Sequence, residues 1–229
     1  MTGTPDRQAE RLSNLARVKH AGIGISIIAF PIMLFLGFVA HPNILSFDMV
    51  AGLDPWVAEW RGNNLFHFGH LLVMFAVPLI IFATFRFMSI LNGSGAWYGL
   101  IGGVLSVFGA FMLAVDKGAL TLTLTALQTI PDPEFAGIRP ALQAFQDRAG
   151  LLWITWSYAL LPVGTIVQTI GLAREKIVTK WQASLIIAGL ALLLNPDIEI
   201  ISSTGALLMC FGFWPLGLQE LKGQLGSSS

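Results

Sequence analysis

Apolar residues come in long runs along this chain, and polar positions fall between the runs or at their ends. Low-charge runs occupy 21–40, 64–90, 97–127, 149–173 and 181–222. A helix rises about 1.5 Å per residue, so about 20 apolar residues cross a hydrocarbon layer roughly 30 Å thick. The last run is broken by Asn195-Pro-Asp-Ile-Glu199 and divides into two. The pattern therefore predicts six membrane helices. Thr-Leu alternation at 121–125 resembles a strand, but a lone strand in lipid leaves its backbone unpaired, so this stretch reads as helix. Pro31 predicts a kink in the first span, and Pro78, Pro162 and Pro215 lie inside the second, fourth and sixth.

The connections are uneven. Asn92-Gly-Ser-Gly95 predicts a tight turn. Residues 41–62 and 128–148 are longer. Pro55–Trp60 reads as a short interfacial helix with Asp54 as its N-cap, and 134–148 as an exposed amphipathic helix. Residues 1–20 form a polar N-terminal segment, 21–222 a single transmembrane domain, and 223–229 a tail ending in a linker-like Gly-Ser-Ser-Ser.

Composition agrees. The chain is 55% hydrophobic and 11% charged, with mean hydropathy +0.72, where soluble domains carry about 25% charge. A net charge of zero gives no electrostatic case for nucleic acid. The single cysteine, Cys210, lies in an apolar run and reads as a packing residue. Basic residues set the orientation. Arg7, Arg11, Arg17, Lys19, Arg86, Arg174, Lys176, Lys180 and Lys222 share one side with both termini. The positive-inside rule makes that side cytoplasmic, as in a bacterial inner membrane. The fold expected is an all-α polytopic bundle of six spans, N-in and C-in, with interfacial helices outside.

Candidate chemistry gathers at the outer end. On the second span, Asn63, His67, His70 and Met74 fall within about 60° on one helical face. Lipid cannot satisfy an imidazole, so that stripe must face protein or a cavity. His41 ends the first span, Asp116 and Lys117 lie on the third, and Asp197 and Glu199 sit at the break between the fifth and sixth. The fifth run, 181–194, covers only about 21 Å as a helix, so the break dips below the surface. His67 and His70 with Glu199 form a candidate metal set, and Met74 would favour copper. Bis-histidine haem requires His41 to meet His67 or His70. His41, Asn63, Met74, Asp116, Lys117 and Asp197 are candidate ligand-binding residues. Asp116 and Lys117, about 100° apart on a helix, are not expected to face each other. Gln128 and Gln168 read as hydrogen bonds between helices.

No catalytic residue is assigned. The leading expectation is an outward-facing polar pocket for a metal ion, haem or a small polar ligand, serving redox chemistry or sensing. The alternatives are a proton-coupled small-solute transporter and a non-catalytic assembly subunit. The partners expected are the lipid bilayer and a small ligand or metal. A last expectation is that Asp197 or Glu199 reaches His70 or Lys117 and makes one cavity.

Overall fold

The computed structural model describes residues 5–48, 50–149, 157–195 and 198–226. Among these every regular element is a helix: α1 (Pro5–Val39), α2 (Leu53–Trp60), α3 (Asn64–Ile90), α4 (Ala96–Leu127), α5 (Asp132–Ala149), α6 (Leu160–Arg174), α7 (Lys180–Leu192) and α8 (Glu199–Leu221). The stretch 121–125 belongs to α4, as backbone satisfaction in lipid demands. Gly93–Gly95 forms a tight 3₁₀ turn between α3 and α4, where the sequence predicts one.

Six of the helices close into a ring. α3 packs on α1 and α4, α6 on α4 and α7, and α8 on α7 and α1. Every helix in the ring therefore touches its neighbours in the chain, and the first touches the last. Glycines let the backbones approach at four seams. A Cβ added at Gly102 would lie 2.6 Å from the Gly164 carbonyl, and one at Gly189 2.5 Å from that of Gly205. Gly37 meets Gly69 and Gly24 meets Gly217 in the same way. Small residues at helix seams provide the close van der Waals packing that holds bundles together in lipid. Phe30, Val77, Ile80, Ile186, Met209 and Phe213 fill the interior. Phe75, Phe82, Phe85, Val104, Phe111 and Phe211 stand on the outer surface, as expected where the surrounding solvent is apolar.

Four helical stretches are long and apolar enough to cross a membrane: Leu12–Val39, Asn64–Ile90, Gly93–Leu127 and Glu199–Leu221. Leu160–Arg174 and Lys180–Leu192 are apolar but shorter. The 13 residues of α7 cover only about 20 Å.

A small second core caps one end of the ring. Val57 and Trp60 of α2 pack with Phe66, Leu124, Phe135 and Leu142. Arg61 lies 3.8 Å from the centre of the Phe135 ring, donates to the Ile130 carbonyl at 2.9 Å and pairs with Asp132 at 2.8 Å. The helix expected over 134–148 thus buries Phe135 and Leu142. Gly52, not Asp54, precedes α2 as its cap, and Asp54 instead pairs with Arg139 of α5. In the segment after residue 222, read from the sequence as a tail, Leu225 is buried and its carbonyl accepts from Arg86 Nη2 at 2.7 Å.

Candidate functional site

The end of the ring away from the termini brings three elements together around one carboxylate. Asn195 sets the local geometry. Its amide donates to the Leu192 carbonyl at 2.7 Å and to Ser202 Oγ at 2.8 Å. Its side-chain oxygen accepts from the Ile198 backbone at 2.5 Å. This asparagine turns the chain from α7 into α8 and leaves Glu199 in the first helical turn, where the helix dipole favours a negative charge. Glu199 Oε1 lies 2.7 Å from His41 Nδ1, and both side chains are largely buried. The contact is close but lacks good hydrogen-bond alignment. Among the described residues, Glu199 Oε2 is buried with no hydrogen-bond partner, and so is Ser203 Oγ one turn further along α8.

His41 stacks on His70 of α3, with ring centroids 5.0 Å apart and 27° between planes. Phe66 packs on both rings, at 4.8 Å from His41 and 4.3 Å from His70. His70 Nδ1 donates to the Phe66 carbonyl at 3.1 Å, so Nε2 is the lone-pair nitrogen of its neutral form. Lys117 and His41 both act electrostatically on His70. Lys117 Nζ lies 3.3 Å from Asp116 Oδ2. Flexible side chains thus close the gap that 100° of helical rotation opens, contrary to expectation.

Glu199 is linked to His70 through a second imidazole, that of His41, and not by a direct contact of the kind expected. Asp197 lies outside the described residues. His67 belongs to a different network. Its Nε2 lies 3.0 Å from the Trp60 carbonyl and 2.9 Å from Gln128 Oε1, and Nδ1 accepts from Thr125 at 3.3 Å. Both nitrogens are engaged in joining α3 to the end of α2 and to α4. Asn63 caps α3, accepting from the Phe66 backbone at 3.2 Å and donating to the Glu59 carbonyl at 2.9 Å. Met74 is half-buried and faces Gly118 of α4. Gln128 and Gln168 do bond between helices; Gln168 reaches the Thr84 and Gly99 carbonyls at 3.3 Å each.

The expected metal set of His67, His70 and Glu199 is not assembled. Among the described residues no three His, Cys, Asp or Glu side chains come together as a metal ion requires. His41 and His70 do meet, as the bis-histidine haem reading demanded, but their rings stack face to face instead of standing on opposite sides of a metal plane.

A second cluster, at the end holding the termini, has no counterpart in the sequence reading. Glu220 of α8 is fully buried. Its Oε1 lies 2.9 Å from His20 Nδ1 of α1, and its Oε2 accepts from Arg86 Nε of α3 at 2.9 Å. One signal was available: Arg86 follows Asn63 by about as many residues as Glu220 follows Glu199, which places both at one depth.

Together these features define an all-helical bundle with the apolar surface and long helices of a multi-pass membrane protein, carrying a buried polar group at each end of the ring. Compared with known families, characterised proteins and solved structures, the chain matches none.

Proposed function

We propose that this chain is a six-span membrane protein, with both termini in the cytoplasm of a bacterial inner membrane, that binds a small polar solute in an outward-facing pocket and couples binding to proton exchange. His41, His70 and Glu199 form the pocket, with Asp116 and Lys117 beside it. One observation carries the reading: Glu199 meets His41 through Oε1, while its buried Oε2 has no hydrogen-bond partner among the described residues. An unsatisfied buried acceptor costs about 1–3 kcal/mol, and a proton or a ligand's hydrogen-bond donor removes that cost.

One proton between Glu199 and His41 has two possible seats. On His41 the pair is ionic; on Glu199 both groups are neutral. A solute that donates to Oε2 stabilises the ionic form, so binding and proton position are linked. The fixed tautomer of His70 leaves Nε2 as an acceptor for the solute.

Infrared titration of the protein in detergent tests the proton step. A carboxyl band that changes with pH in the wild type is expected to vanish in Glu199→Gln and to shift in His41→Ala. An identical titration in Glu199→Gln would remove the proposal. Reporters active on one side of the membrane, fused after Ser229, test the topology; an external C-terminus would break the even span count.

A further inference from the structure

The outside of the ring carries a groove between α1 and α3 near the termini, with a volume of about 480 Å³. Its walls are Gly22 and Ile23 of α1 with Leu79 and Phe82 of α3. Gly22 leaves it open: a Cβ there would meet no atom within 4 Å. Phe82 is more than half exposed, so the groove faces the surroundings and not the interior.

Lys19 and Arg86 line the same groove. Lys19 precedes Val39 by about 30 Å of helix, and Arg86 follows Asn64 by about 33 Å. With α1 and α3 crossing a layer of roughly 30 Å, both cations stand at headgroup depth. Lys19 is exposed and has no ion pair among the described residues. Arg86 is held in place by Glu220, the Leu225 carbonyl and Ser89 Oγ, and a guanidinium has five N–H donors, two more than those contacts engage. An apolar slot below two cations at the membrane boundary matches one chemistry: an acyl chain below a phosphate.

We infer that this groove is a site for one anionic phospholipid, with its acyl chain along Gly22, Ile23, Leu79 and Phe82 and its phosphate between Lys19 and Arg86. The inference rests on the membrane reading above and not on the histidine pocket at the opposite end. Basic pockets between membrane helices recognise anionic headgroups in this way.

The full chain is reconstituted in nanodiscs of phosphatidylcholine and phosphatidylglycerol, extracted gently, and its retained lipid is identified by native mass spectrometry. Phosphatidylglycerol is expected to be retained over phosphatidylcholine by about fivefold or more, the factor one basic residue supplies near a membrane surface. Lys19→Gln is expected to remove most of that preference. Gly22→Leu is expected to lose both lipids, because it fills the slot. If Gly22→Leu does not fold, Lys19→Gln, at an exposed position, decides alone. Equal retention of the two lipids, an unchanged preference in Lys19→Gln, or displacement of the lipid by inorganic phosphate alone would each overturn the inference. An external C-terminus in the reporter assay would refute the topology while leaving the retention result unchanged, so the two failures are distinguishable.

Discussion

Helix α8 carries a buried glutamate at each end, and the two are held differently. Glu220 is sealed, and both of its oxygens are matched, one by His20 and one by Arg86. Glu199 is nearly as buried, yet one oxygen meets His41 and the other has no hydrogen-bond partner among the described residues. Burial alone therefore does not separate a clasp from a site; the degree of hydrogen-bond satisfaction does. A saturated buried charge has no capacity left for a ligand. A half-satisfied one holds free energy that a ligand or a proton can release.

The sharpest way to break the comparison is Glu220→Ala. It leaves the partly buried Arg86 without its carboxylate and empties a fully buried position, and a loss of about 3 kcal/mol is expected in unfolding from detergent micelles. A loss below about 1 kcal/mol would mean that Glu220 is no clasp. His20→Ala should cost less, about 1 kcal/mol, because His20 is partly exposed and Arg86 still pairs with Glu220. Glu199→Gln keeps the side chain's shape, and its stability should change by less than about 1 kcal/mol while the pH response disappears. Equal destabilisation by Glu199→Gln and Glu220→Gln would erase the distinction drawn here. The smallest effect is expected from Arg139→Ala, which removes a surface pair with Asp54. Its cost should stay within about 1 kcal/mol and shrink with added salt.

Much of this was legible in the sequence because lipid imposes a length on helices. The four long spans follow from apolar run length, and α7 reads as short because Asn195-Pro196 ends its run early. That Glu199 stands at the height of the histidines also follows, since each residue sits at the same end of its own span. Which histidine it meets does not follow. Sequence fixes height along a helix but not which helix stands next to which, and α8 closes against α1. That closure brings His41 to Glu199 and leaves His67 facing α4. The Glu220 clasp was hidden for a similar reason. Its three members lie on α1, α3 and α8, and an acid near a helix end reads as simply hydrated until its neighbours are known.

Ring closure also has a consequence for how the protein is made. The ribosome delivers α1 first and α8 last, and at about 5–20 residues per second the interval between His41 and Glu199 is about 8–30 s. Throughout that interval the nascent bundle is an open arc, with His20 and His41 on one bare edge. The pairs of His20 and Arg86 with Glu220 and of His41 with Glu199, the first spanning 200 residues, form only when α8 arrives. A chain stopped before α8 would therefore display two unmatched imidazoles along an exposed seam. It should be degraded faster in pulse-chase labelling than a full-length chain carrying Glu199→Gln, which still closes the arc.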